Sequence, residues 1–245
     1  MGFAQLPQLV SEIPATADRF IGFDNLGANY FIANNVFFKE KEGKLLQYQN
    51  LSFGKIERAD LINPMNLLLF YKDFNAVVFL DNQLNEIRRI NFSDFPEPLT
   101  VIAMGNASQN RLWVYNSINQ QIGLFDYLKN TIAYLAQPIK GMPVHYETDF
   151  NHFYWLDDSG NRYSCDLFGK ISFMGRFPVE TKAQFVSEAT MLYLKDNQLR
   201  YFSLDGNTEQ LIDLGEKSPS GFWYGAQNLA IFTSAGISLY KLKLR

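Results

Sequence analysis

The strongest constraint on this chain is a spacing. Short aromatic and aliphatic runs begin at Tyr30, Leu67, Arg111, His152, Met191 and Leu229, so that successive copies lie 37 to 44 residues apart. From the second run on, an Asn-, Asp-, Ser- or Gly-bearing turn follows, at 72–75, 116–119, 157–160, 195–197 and 233–236, and then a second run. Aromatic and β-branched runs separated by turn formers read as β-hairpins.

Most units carry a third run after another turn, at 86–90, 131–135, 171–173 and 209–212. A leading strand is expected in each at 20–23, 54–58, 99–103, 144–147, 183–186 and 222–224. Four strands in roughly 40 residues make one propeller blade. No window keeps a helical apolar period, so the crossover helices of an α/β fold are missing. The pattern predicts an all-β, six-bladed β-propeller spanning residues 1–245 as one domain. The last unit runs out before its outermost strand, and residues 6–13 precede the first full unit, so the N-terminal segment is expected to close the ring. Closure removes exposed sheet edges. The alternative is that residues 1–16 are a disordered leader. The 22 Phe and 13 Tyr suit sheets stacked around an axis, where large flat side chains fill wedge-shaped gaps.

Charge narrows the function. With 22 Lys and Arg against 25 Asp and Glu, the formal net charge is −3 and no basic tract exists, which excludes an ordinary nucleic-acid surface. No apolar stretch is long enough for a membrane-spanning helix. Cys165 is the single cysteine, so no intramolecular disulfide forms, and its place in an alternating strand reads as a small buried hydrophobe.

Few residues suggest chemistry. His145 and His152 flank Tyr146, Glu147, Asp149 and Asn151, and a metal or acid–base site needs such groups to converge. No His-Glu-x-x-His motif accompanies them. His145, Asp149 and His152 therefore form an alternative polar site beside a main reading with no catalytic residues, no metal and no cofactor. The run from Asp157 to Asn161 resembles the start of a calcium loop but lacks its second half, so it reads as a turn. Neither a nucleophile elbow nor a phosphate-binding glycine loop is present. The 39–42 Lys-Glu-Lys-Glu segment reads as a charged turn, and Arg88 and Arg89 as edge protection.

Large aromatics near blade turns are the better candidates for recognition. Phe74 and Tyr127 fall in connections, where a ring lacks an automatic core partner. Trp113, Trp155 and Trp223 are ambiguous, because adjacent strand side chains alternate between faces. These five are the interface candidates.

The whole pattern resembles six-bladed propellers of the TolB-like or NHL-like type, without a Trp-Asp or kelch signature. That resemblance implies a protein-interaction scaffold. The opening Met-Gly-Phe-Ala-Gln resembles the end of a bacterial secretory signal of the kind seen in Bacteroidetes, implying an exported, periplasmic protein. Together they suggest a non-enzymatic accessory subunit, similar to the plug component of the type IX secretion translocon, docking on an outer-membrane protein-export channel. Two alternatives stay open: a hydrolase or lyase with an axial active site, and a carbohydrate or peptide sensor.

Overall fold

Turn chemistry sets the strand boundaries. Several hairpins close through two consecutive residues with positive φ: Asn34 and Asn35 (49° and 60°), Glu42 and Gly43 (52° and 78°), Gln109 and Asn110 (62° and 58°), Asp196 and Asn197 (52° and 57°), and Ala226 and Gln227 (47° and 62°). Such paired left-handed residues match the right-handed twist of the strands they join, and Asn, Asp and Gly adopt them at least cost.

The computed structural model describes residues 6–13, 17–24, 26–97, 99–215 and 217–244. Strand β1 (Gln8–Ile13) precedes blade 1, which contains β2 (Arg19–Phe23), β3 (Asn29–Ala33), β4 (Val36–Lys41) and β5 (Lys44–Tyr48). Blade 2 contains β6 (Arg58–Asp60), β7 (Leu67–Tyr71), β8 (Ala76–Leu80) and β9 (Glu86–Asn91). Blade 3 is β10 (Val101–Ala107), β11 (Arg111–Asn116), β12 (Gln121–Asp126) and β13 (Thr131–Tyr134). Blade 4 is β14 (His145–Thr148), β15 (His152–Leu156), β16 (Asn161–Asp166) and β17 (Ile171–Arg176). Blade 5 is β18 (Ala183–Phe185), β19 (Thr190–Lys195), β20 (Gln198–Ser203) and β21 (Thr208–Leu211). Blade 6 takes β22 (Gly221–Gly225), β23 (Asn228–Thr233) and β24 (Gly236–Lys241) from the end of the chain.

Six four-stranded antiparallel sheets result, and β1 supplies the outermost strand of blade 6 by pairing with β24, from Gln8 opposite Lys241 to Ile13 opposite Ile237. The expected six-bladed architecture and its N-terminal closure are therefore both present. The proposed leader remnant at residues 1–5 lies outside the described residues, as do residues 14–16.

Alternation along each strand builds the core between blades. In β7, Leu68 and Phe70 pack toward blade 3, while Leu67, Leu69 and Tyr71 pack toward blade 1. In β11, Leu112 and Val114 face blade 2, and Trp113 and Tyr115 face blade 4. Each of these sheets is buried on both faces, so its central strands are apolar throughout. The closing seam between blades 6 and 1 gathers Phe20, Ala230, Phe232 and Ile237, with Phe23, Phe31 and Trp223 packed alongside.

Two local expectations are corrected. The inner strand of blade 2 is Arg58–Asp60 rather than 54–58, because Gly54 turns at φ 68° and the chain runs on irregularly to Glu57. Lys39 belongs to β4 rather than to a turn; it is buried, and its Nζ donates to the Asn82 carbonyl at 2.9 Å.

Candidate functional site

The innermost strands all run the same way along the axis, because each blade is entered from its inside edge. Their first residues therefore ring one mouth of the central channel, which encloses about 800 Å³. Arg19, Arg58 and His145 open β2, β6 and β14, and Lys182 precedes β18. A space of this size lies within the range of small-molecule sites, about 300–1,000 Å³.

Polar side chains stitch neighbouring inner strands together here. Arg19 donates from Nη1 to the Glu57 carbonyl at 2.7 Å and from Nη2 to the Ile56 carbonyl at 3.0 Å. Burial pulls its guanidinium below the ordinary value, while the Glu57 carboxylate pulls the other way. Lys182 donates to the Ser220 carbonyl at 3.0 Å. The Gln184 amide donates to the Tyr224 carbonyl at 2.6 Å and accepts from the Tyr224 N–H at 2.8 Å, standing in for a rung of sheet between blades 5 and 6.

Blade 3 is covered. The Arg58 guanidinium reaches from blade 2 to blade 4, where it donates to the Tyr146 carbonyl at 3.1 Å and lies 4.4 Å from the centre of the Tyr146 ring. The Tyr146 hydroxyl accepts from the Met104 N–H at 3.2 Å, and Asp60 Oδ2 accepts from the Asn106 N–H at 2.7 Å. Only glycine fits beneath this cover at position 105, where a Cβ would lie 2.0 Å from Thr148 Oγ1 and 2.9 Å from Asp60 Oδ2. Blade 3 consequently shows the channel little beyond Ile102.

The group with acid–base capacity lies on blade 4. His145 and Glu147 are two residues apart on β14, so both side chains leave the same face of the strand, toward blade 5. His145 Nε2 is 3.0 Å from Glu147 Oε1, and the same oxygen accepts the Phe185 N–H at 2.7 Å. The Phe185 ring meets the imidazole edge-on at 5.5 Å. With Nε2–H directed at the carboxylate, Nδ1 is the basic nitrogen, which is the arrangement a carboxylate-oriented general base requires.

The opposite wall is aromatic. Trp223 on β22 lies against Gly22 and Gly225: a Cβ on Gly22 would come 2.5 Å from its Nε1, and one on Gly225 would come 2.6 Å from its Cη2. Phe23 meets the indole edge-on at 5.2 Å.

The expected polar triad does not assemble. His145 pairs across the hairpin with Leu156, whereas His152 sits at the far end opposite Asp166, about 13 Å along the strand at the usual rise per residue. Asp149 is held in the turn: its Oδ1 accepts the Asn151 and His152 N–H groups, both at 2.7 Å, and its Oδ2 accepts from the Tyr154 hydroxyl at 3.0 Å. Burial and the Asp149 charge push the Tyr154 hydroxyl up to about 12. His145 instead takes Glu147 as its partner. Glu147 and Arg58 are legible as ionisable residues within expected inner strands, and Lys182 stands just before one. Among the described residues, no group of three or more His, Cys, Asp or Glu is placed to hold a metal ion.

The aromatic candidates separate clearly. Trp113 and Trp155 are 0% and 2% exposed, so the interface role is corrected for both: they belong to the core between blades 3 and 4. Trp223 lines the channel. Phe74 is 49% exposed in a short 3₁₀ turn, Lys72–Phe74. Tyr127 is half-buried on Phe79 and borders a groove of about 370 Å³ with Met65, Ile87 and Arg88.

No protein-family model matches the sequence, and no curated protein matches it. Solved structures do match in shape. Virginiamycin B lyase from Staphylococcus aureus superimposes with a TM-score of 0.60 at 13% identity, over 95% of this chain and 83% of that one. The β-propeller domain of Cps50 (Swd1) from Myceliophteria thermophila gives 0.65 at 9% identity, over 97% of this chain and 100% of that one. The extracellular domain of a putative hybrid two-component system from B. thetaiotaomicron gives 0.51 at 13% identity, over 95% of this chain and 39% of that one. At these identities the likeness is one of fold. It is a β-propeller. The expectation that the chain is not an enzyme is corrected by the first of these: a lyase has this fold over nearly the same length, so neither the propeller nor its lack of a catalytic signature carries that exclusion.

Proposed function

We propose that this propeller binds a small polar molecule in its axial channel and acts on it by acid–base chemistry, as a lyase or hydrolase. The observation that carries this reading is the His145–Glu147 pair, 3.0 Å apart on the wall of the channel. Glu147 orients the imidazole, and Nδ1 takes the proton. Arg19 and Lys182, bound to backbone carbonyls rather than to carboxylates, supply positive charge near the mouth for a developing oxyanion. The lyase fold named above supports the reaction class by analogy. The test is a screen of chromogenic esters, lactones and glycosides with the wild-type chain, followed by His145→Gln and Glu147→Gln. Turnover should fall by about 10²–10⁴-fold in His145→Gln. Unchanged kcat/KM in that variant refutes the assignment.

A second reading is favoured by the groove beside Tyr127, where Met65 and Ile87 are 61% and 55% exposed. It retains the TolB-like or NHL-like scaffold as an exported, periplasmic protein that docks on an outer-membrane protein-export channel, as a plug or accessory subunit of the type IX kind. Among the described residues, no helix is long and apolar enough to cross a membrane. A photo-crosslinker at Tyr127, activated in native envelopes, tests this reading. Capture of a large outer-membrane channel subunit supports it, and capture of none refutes it.

A further inference from the structure

We infer that the molecule taken by the axial channel is an uncharged saccharide, whose ring stacks on Trp223. This rests on the channel being the ligand site, as proposed above, and it names the class of ligand.

The first ground is charge. The channel is lined by the carboxylates Asp18, Asp24, Glu57, Asp60 and Glu147 and by the cations Arg19, Arg58 and Lys182. Asp24 and Asp60 are buried and held by backbone N–H groups: Asp24 Oδ1 accepts from Leu26 and Ala28, and Asp60 accepts from Ile62 and Asn106. Asp18 likewise accepts the Asn34 N–H, and Glu147 that of Phe185. The lining thus sets five carboxylates against three cations, an excess of negative charge that opposes an anionic ligand. What it offers is many charged hydrogen-bonding groups of both polarities. Arg19 and Lys182 keep donors beyond those given to carbonyls, and among the described residues the Glu57 carboxylate makes no hydrogen bond. Hydroxyl groups, each both donor and acceptor, match such a wall.

The second ground is the platform. Trp223 on β22 and Glu147 on β14 both line the channel. Gly22, with φ 150°, and Gly225 bring backbone against opposite ends of the indole, where any side chain would collide. Two blades thus fix the ring as a flat surface on the channel wall. The C–H face of a sugar ring is apolar and weakly positive, which suits the negative face of an indole. A stacked ring then presents its hydroxyls to the polar wall that carries His145.

The test is titration of the intact wild-type chain with neutral gluco-, galacto-, manno- and xylo-oligosaccharides. Uronate oligomers, dipeptides and nucleotides serve as charged counter-ligands. Isothermal titration calorimetry reads binding in the wild type and in variants that lack the indole alike. Saturable binding of at least one neutral saccharide is expected, with charged ligands weaker. Trp223→Ala should weaken that binding by about tenfold or more, and Trp223→Phe by much less; near-ultraviolet circular dichroism establishes that both variants fold. Absence of binding by every neutral saccharide, tighter binding of a charged class, or saccharide binding that Trp223→Ala leaves unchanged overturns the inference. The two proposals fail separately. A saccharide bound through Trp223 but never turned over keeps the saccharide site and removes the acid–base reading. His145-dependent turnover of a non-saccharide keeps that reading and removes the saccharide.

Discussion

Gly22→Ala probes how the channel wall is built, because two separable costs meet at one atom. The backbone at Gly22 has φ 150°, in a region that L residues avoid, at about 1–3 kcal/mol for a residue forced into it. The added Cβ would lie 2.5 Å from Trp223 Nε1 and 2.8 Å from Cδ1, well inside contact distance. Relief requires the indole to move off Gly225 or the seam between blades 6 and 1 to widen, an overpacking cost of about 1–3 kcal/mol. The single variant should therefore lose about 2–6 kcal/mol. For a domain of this size each kcal/mol lowers Tm by roughly 2–4 °C.

The informative measurement is a double-mutant cycle with Trp223→Ala, read by urea unfolding. Removing the indole removes the collision and leaves the backbone cost. Gly22→Ala should thus be about 1–3 kcal/mol less damaging in the Trp223→Ala background than in the wild type, beyond the few tenths expected of independent sites. Equal losses in the two backgrounds would refute the view that glycine is required there to seat the indole.

Four further outcomes are expected. Replacing Ala226 and Gln227 by Asn and Gly, in a turn with φ 47° and 62°, should stabilise the chain by about 1–2 kcal/mol, seen as a higher urea midpoint at constant slope. Deleting residues 1–13 strips β24 of its outer partner strand and should cost about 3–6 kcal/mol at the usual net value per ladder bond, with aggregation through the bared edge visible by light scattering. Burial pushes the Cys165 thiol up to about 12, with Asp166 adding to the shift, so native protein should react with a thiol reagent at pH 8 only as fast as it unfolds. The Lys129 N–H in one turn and the Lys170 N–H in another hold the Asp126 and Asp166 carboxyls below their ordinary range. Stability from such groups is complete above the usual carboxylate range and is lost as pH falls through their lowered values, so the urea midpoint should decline on acidification below about pH 4.

The propeller was legible because its information is local. Turn residues and period-two runs recur within each blade, and even the closing strand announced itself as a missing fourth run matched by an unassigned first one. The site was less legible because its contacts are not local. Arg58 and Tyr146 meet across 88 residues of sequence, and Phe185 donates to Glu147 across 38. The inner strand of blade 2 was misplaced for the same reason. Asp60 reads poorly as a strand residue, and only blade 3 supplies the partner that makes it acceptable there. Trp113 and Trp223 looked equivalent as rings in alternating strands. One lies in a central strand, covered on both faces, and the other in an innermost strand, with one side toward the axis.

The ring is also chemically unequal around its axis, although its repeat is regular. Arg58 and Tyr146 bridge blades 2 and 4 over the inner strand of blade 3, and Gly105 permits that crossing because it has no side chain to obstruct Thr148 and Asp60. Covering one blade displaces the open channel toward the others and leaves His145 and Glu147 on one wall and Trp223 on another. A sixfold pore would present the same kind of residue at each position around its axis. This one sets an imidazole–carboxylate pair and a flat aromatic surface on different walls of one channel, and it does so by breaking the symmetry at blade 3.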